Sequence, residues 1–187
     1  FLDSHPSNIE GFFRWNCTLN EKTQDEEKQE TLTFPGTGHQ ITINYKDSVV
    51  TADKTYLAEN GKYVDGNTPA KINDDGTVTF RIELNADKKA TNVTLTDTMG
   101  AGLQFVGTTF ELYRDNGDEG KDELVKTLTV TPEDLKDNII TLNIGTLEGG
   151  SYYILYNARV VGTASLTNKI EWDWEGGTTG KDDTTVV

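Results

Sequence analysis

Cysteine is almost missing from this chain of 187 residues: Cys17 stands alone. A single thiol excludes an internal disulfide and any cysteine-built zinc site. Histidine is nearly as scarce, with only His5 and His39. A histidine-rich metal centre or a histidine-assisted nucleophile is therefore poorly supplied, and neither metal nor cofactor is expected. Basic charge is short as well, 17 Lys and Arg standing against 31 Asp and Glu for a net charge of −14. Nucleic acid and anionic membrane surfaces call for basic clusters, so both are excluded as partners. No apolar run approaches the ~20 residues of a membrane span, and no membrane insertion is expected within these residues. Phe1–Glu10 has neither a charged n-region nor an apolar h-region, so the start is read as that of a mature or excised piece.

Hydrophobic residues make up 34% of the chain, below the ~45–50% of common globular domains. A chain this polar still folds if its apolar residues alternate, because a sandwich fills one inner layer per sheet. Threonine is abundant, at 28 residues, and with Val, Ile, Tyr and Phe it suits half-buried strands. Period-2 patterns dominate. They predict strands near Gly11–Leu19, Thr31–Phe34, Gln40–Tyr45, Val49–Tyr56, Thr77–Leu84, Asn92–Thr98, Gly107–Tyr113, Leu124–Val130, Ile139–Ile144, Ser151–Val161 and Ser165–Trp174. Turn signals such as Pro35-Gly36, Asp75-Gly76 and Asn116-Gly117 lie between them. Only Thr131–Leu135 reads as helical, with Thr as N-cap and Pro at the first position. The fold class expected is an all-β sandwich with at most one short helix.

Three of these strands carry the same anomaly. Val50, Ala52 and Tyr56 share a face with Lys54. Val93, Leu95 and Met99 share one with Asp97. Leu166, Ile170, Trp172 and Trp174 share one with Asn168. Alternation therefore points a lysine, an aspartate and an asparagine toward the core. An unpaired buried charge costs several kcal/mol, so the three must be partnered, neutralised or reacted. Desolvation lowers a lysine pKa and raises an aspartate pKa, which makes a neutral amine beside a neutral acid accessible. The amine is then a nucleophile and the acid a proton shuttle. Attack on the Asn168 carboxamide with loss of ammonia would leave a Lys–Asn isopeptide bond. Such a reaction turns over once within one molecule, so the chain is not an enzyme. Lys169, beside Asn168, points to the opposite face.

Lys54-Thr55, Thr77–Asn85, Val93–Asp97 and Leu166-Thr-Asn168 with Trp172 resemble Gram-positive surface adhesins and pilins. The resemblance is to collagen-adhesin-type (CnaA-type) immunoglobulin-like modules and covers residues 48–176. It implies an immunoglobulin-like sandwich with an internal isopeptide bond between Lys54 and Asn168 and with Asp97 as the catalytic proton shuttle. Two departures from the family pattern stand out: Thr55–Gly76 is a longer connection, and Phe80 stands where Trp is common. Lys62 is the alternative lysine, although Gly61 and Tyr63 beside it give no core face. The resemblance further implies an extracellular, cell-wall-anchored location. It implies as partners a host extracellular-matrix protein or glycan and neighbouring modules of the same chain. Residues 1–47 are read as the end of a preceding module or as additional strands, and residues 177–187 as a linker.

The other candidates are weaker. Asp115–Glu123 fails the calcium-loop pattern, with Gly117 at its third position and Lys126 at its last, and reads as a solvated hairpin tip. Asn16-Cys17-Thr18 matches a three-residue glycosylation sequon. Trp15, Trp172 and Trp174 raise the alternative of a carbohydrate-binding module from a secreted multidomain enzyme, though two of them sit in a core phase.

Overall fold

The computed structural model describes residues 28–33, 36, 38–45, 47–117 and 120–187. Among the described residues thirteen strands follow one another: β1 (Lys28–Thr33), β2 (Gln40–Tyr45), β3 (Val50–Leu57), β4 (Tyr63–Val64), β5 (Thr77–Ala86), β6 (Ala90–Met99), β7 (Leu103–Phe105), β8 (Thr109–Asp115), β9 (Glu123–Thr129), β10 (Ile139–Leu147), β11 (Gly150–Val160), β12 (Thr167–Asp173) and β13 (Gly180–Thr185). One sheet of seven strands has the order β4-β3-β5-β11-β8-β9, with β7 also on β11. The facing sheet of four has the order β10-β6-β12-β13. Every pairing is antiparallel.

Alternation builds the sandwich. On β5, Phe80, Ile82 and Leu84 turn inward, and on β10 Ile140, Leu142 and Ile144 answer from the opposite sheet. Those six side chains sit in one core with residues from both sheets, so β5 and β10 each turn one face to the core. At about 25 cal/mol per Å² of apolar surface removed from water, this layer is the main source of cohesion.

The strand expected over Gly11–Leu19 lies outside the described residues. β1 and β2 pair with each other in a sheet of their own, in register from Lys28–Tyr45 to Thr33–Gln40. The segment read as helical is a run of tight turns. Asp134 N bonds Thr131 O, Lys136 N bonds Glu133 O, and Asn138 N bonds Leu135 O, which is a three-residue spacing. The capping signal itself is real: the Asp134 carboxylate accepts from Thr131 N and Oγ1, both at 2.7 Å. Too few residues follow it, because Asn138 at φ 55° already turns the chain into β10, and an α-helix needs more turns to offset its nucleation.

Residues 177–187 are not a linker. Gly180–Thr185 forms β13, paired to β12 from Trp172–Gly180 to Thr167–Thr185. The glycines that suggest a flexible tether do another job. A Cβ on Gly180 would lie 2.2 Å from Cε2 of Trp172, and one on Gly177 1.9 Å from Cε2 of Trp174. Two indoles press against backbone that only glycine leaves bare. Two short strands, β4 and β7, carry too few residues to show a period.

Gly180→Ala should therefore destabilise the domain by about 1–3 kcal/mol, the usual cost of overpacking against a rigid neighbour. Thr178→Ala, exposed in the same segment, should stay within about 0.5 kcal/mol of wild type. Urea unfolding of the two variants checks this, and two equally silent substitutions would return the segment to linker status.

Candidate functional site

The site is built from four strands in two sheets. On β3 the inward phase carries Val50, Ala52, Lys54 and Tyr56, and Lys54 is 0% exposed. On β6, second in the four-stranded sheet, the inward phase is Val93, Leu95, Asp97 and Met99. Its neighbour β12 sets Ile170 opposite Asp97 and Asn168 opposite Met99. Asp97 and Asn168 are therefore diagonal neighbours on one face, within reach of each other's partners. β11 faces them from the seven-stranded sheet, where Tyr156 shares the inward phase of Tyr152, Ile154 and Ala158. Asp97 and Asn168 are both fully buried.

The ammonium Nζ of Lys54 donates to Asp97 Oδ2 and to the Tyr156 hydroxyl. The hydroxyl in turn donates to the same Asp97 oxygen. Asn168 Nδ2 donates to the hydroxyl at 2.8 Å. The phenol oxygen is thus the hub of the cluster. Around it the wall is aromatic: Phe80 stacks on Tyr156 at 5.8 Å, and Phe105 and Phe110 close in at 6.1 and 5.5 Å. Nζ lies 4.8 Å from the Tyr156 ring centroid, a cation–π distance. Two acceptors are left over, since buried Asp97 Oδ1 and Asn168 Oδ1 have no hydrogen-bond donor.

Burial pushes the Lys54 pKa down, more than the charge and hydrogen bond of Asp97 hold it up. Burial also pushes Tyr156 well above the usual phenol value, helped by the negative charge of Asp97 and by the bond to it. The surroundings thus favour an uncharged amine beside a protonated phenol. Lys54 Nζ and Asn168 Nδ2 both reach the same hydroxyl, and an amine without its proton is a nucleophile.

Of the residues singled out in the sequence, the structure brings Lys54, Asp97 and Asn168 into one cluster. Lys62 lies elsewhere, exposed in a turn where its N bonds Asn60 Oδ1 and its carbonyl accepts from Ala58 N. Two members of the assembly escaped the sequence reading. Tyr156 looked like ordinary core, although a buried phenol needs a partner for its hydroxyl, and that need was the available signal. Asp182 of β13 accepts from Lys54 N at 2.6 Å and ties the lysine's strand to the opposite sheet; it was hidden in the stretch read as linker.

Trp172 and Trp174 are buried and donate their indole N–H groups to Val50 O and Ser48 O at 2.9 and 2.8 Å. They pin β12 to the start of β3 and present no aromatic platform. Trp15, His5, Cys17 and the sequon at Asn16 lie outside the described residues. At the hairpin tip the carboxylates brace the turn: Asp115 Oδ1 accepts from Gly117 N, and Asp122 accepts from Asn116 N and the Tyr153 hydroxyl.

The family described as the bacterial alpha-2-macroglobulin MG10 domain matches residues 50–164. That span holds Lys54, Asp97 and Tyr156 and ends before Asn168. A search among curated proteins finds no match. Among solved structures, the full-length major pilin SpaD of Corynebacterium diphtheriae is 19% identical, with 76% of this chain and 35% of the pilin covered and a TM-score of 0.46. The C-terminal domain of the AgI/II polypeptide BspA of Streptococcus agalactiae is 12% identical over 80% of this chain and 53% of its own, with a TM-score of 0.49. The collagen-binding domain of a Staphylococcus aureus adhesin is 13% identical over 73% and 95%, with a TM-score of 0.39. The chain thus spans about a third of the pilin's length. Likeness of this degree carries no argument about what the chain binds or joins, and the chemistry rests on its own side chains.

The electrostatics of the cluster set a sign for pH dependence in a chain that cannot cross-link. In Asn168→Leu, the unfolded chain holds a proton on Lys54 up to its ordinary value of 10.5, while the folded chain gives it up earlier. Unfolded chains then bind more protons than folded ones, and stability rises with pH through that window. Above about 10 the raised Tyr156 reverses the slope, because the unfolded phenol ionises first. Urea midpoints should climb as the pH approaches 10, and a flat or falling profile there would mean that Lys54 keeps its proton in the fold.

Proposed function

We propose that this chain, which belongs to the bacterial alpha-2-macroglobulin MG10 domain family, is an extracellular structural or adhesive module stabilised by an autocatalytic bond between Lys54 and Asn168. The observation that carries the reading is the buried cluster of Lys54, Asp97, Tyr156 and Asn168. As a resting network it is poorly satisfied, with two oxygens unmet, and the amine and the carboxamide meet on one hydroxyl. The residue pattern shared with Gram-positive adhesins and pilins supports the same conclusion. It supports a setting on a cell wall, anchored through other parts of a longer protein, with a host matrix protein or glycan as the surface to be gripped.

The mechanism follows from the side chains. Lys54 gives a proton to Asp97 and attacks Cγ of Asn168 as a free amine. The Cγ–Nδ2 bond breaks and ammonia leaves, its third hydrogen coming from the Lys54 amine, which ends as the amide N–H beside a protonated Asp97. Holding the groups in one dry pocket supplies the rate, since well-oriented intramolecular reactions gain up to ~7–11 kcal/mol. The product joins β3 of one sheet to β12 of the other. A force that parts the sheets would then load a covalent bond instead of side-chain packing. The closed loop exceeds a hundred residues, worth about 4–5 kcal/mol of lost unfolded-state entropy on the disulfide analogy. In a chain with one cysteine this is a chemically independent route to robustness.

The family description favours a second reading, in which the domain is a packing module of a larger bacterial alpha-2-macroglobulin-type chain and the Lys54–Asp97 pair stays unreacted. Intact mass under denaturing conditions separates the two. Cross-linking makes the chain lighter by about 17 Da, the mass of the ammonia expelled in the acyl transfer. Asp97→Ala should restore the full mass, because the proton acceptor is gone while both reactants remain. Lys54→Ala should keep the fold but lower the melting temperature and increase protease sensitivity. Wild-type chain at its full calculated mass would reject the bond and leave the second reading standing.

A further inference from the structure

The Tyr156 hydroxyl touches both nitrogens that the cross-link exchanges. Lys54 Nζ donates to it, Asn168 Nδ2 donates to it at 2.8 Å, and its own proton points to Asp97 Oδ2. Among the described residues the hydrogen bond from Nδ2 runs to the phenol and not to the carboxylate. That arrangement leaves Asp97 one relay short. The carboxylate sits where it can take a proton from the attacking amine, while the hydrogen bond of the departing nitrogen goes to the phenol. An amide nitrogen leaves as ammonia only once it has been protonated, so some group must deliver a proton at Nδ2.

We propose that Tyr156 is a catalytic residue of the cross-linking reaction, passing a proton from Lys54 Nζ to the leaving Nδ2 of Asn168. The proposal rests on the cross-linking reading above. The balance closes without any outside reagent. Asp97 first removes one proton from the lysine ammonium, leaving an amine with two. The Nζ lone pair forms the bond to Cγ, and the carbonyl electrons move onto Oδ1. As Cγ becomes tetrahedral, Nδ2 loses its amide conjugation and turns from donor to acceptor. The phenol then gives its proton to Nδ2 and takes one from Nζ. The Oδ1 electrons re-form the carbonyl, the Cγ–Nδ2 bond breaks, and ammonia departs with the third hydrogen supplied by the lysine. Tyr156 ends as it began. Its burial keeps the phenol protonated and available as a donor at neutral pH.

Both the position and the role are specific to the hydroxyl. The ring is held by Phe80, Phe105 and Phe110, and phenylalanine in its place would keep that packing. The charged and titratable groups facing the hydroxyl are Lys54 from β3 and Asp97 from β6, with Asp182 of β13 acting on Lys54 from further away. The strands β5, β7 and β8 set the rings of Phe80, Phe105 and Phe110 against it.

The test is time-resolved intact mass of chain made by cell-free synthesis. Wild type should lose about 17 Da as it folds, and Tyr156→Phe, with an unchanged circular dichroism spectrum, should lose it on the order of a hundredfold more slowly. A chain bearing 3,5-difluorotyrosine at position 156 keeps the hydroxyl as a stronger acid. Its rate-against-pH profile should move to lower pH, which a purely packing role would not produce. Wild type and Tyr156→Phe cross-linking at one rate would overturn the proposal, as would a fluorinated chain with an unmoved profile. Wild type that stays at full mass is a different result: it rejects the cross-link itself, and the role of the phenol with it.

Discussion

The structure turns on one lysine amine held out of water between two sheets. Two unit charges 4 Å apart attract by about 4 kcal/mol at an effective dielectric of 20, while dehydrating each costs several kcal/mol. A lysine and an aspartate buried as bare ions are therefore a poor bargain for the fold. The tyrosine hydroxyl softens that cost by bonding to both, and the aromatic wall adds a weak attraction for the cation. Even so, one oxygen of Asp97 and one of Asn168 go without a donor. Native cores rarely tolerate such orphans unless a task requires them. The strain is electrostatic, localised to four side chains, and relieved most completely by chemistry that removes the charges.

Period-2 alternation made much of this visible beforehand. Three polar side chains in the inward phase of three strands were legible because a strand offers only two directions, and apolar neighbours settle which is inward. Tyrosine 156 was not legible in the same way, since a tyrosine among Tyr152, Ile154 and Ala158 looks like filler until the partner of its hydroxyl is sought. β13 stayed hidden for a different reason. Its composition of Gly, Thr, Asp and Lys matches a tether, and nothing local says that Gly177 and Gly180 are bare so that indoles can lie on them. The turns after Thr131 misled through a correct detail: the cap is there, but a cap signals where a helix begins and not whether enough chain follows.

Family membership and site chemistry answer separate questions here. The MG10 match spans the strands that carry Lys54, Asp97 and Tyr156, which accounts for the scaffold. A sandwich of this kind is a frame on which many functions are built. What the frame does in this chain depends on whether Asn168, outside the matched span, is a bystander or an electrophile. The two sheets bring it to the cluster through the register of β12 on β6, and a shift of one residue in that register would turn it to solvent.

The clasp between Asp182 and the backbone of Lys54 sets an order of assembly. It joins residues 128 apart in sequence, and Trp172 reaches back 122 residues to the carbonyl of Val50. Contacts of such range form late and slowly, because the intervening chain must be gathered before they contribute. A polypeptide emerging from its amino-terminal end can pair β3 with β5 long before β12 and β13 exist. Until they arrive, the second sheet lacks the strands that carry Asn168 and Asp182, and the enclosure of Lys54 is incomplete. The pocket around Lys54 is therefore closed only when the last strands lock into place.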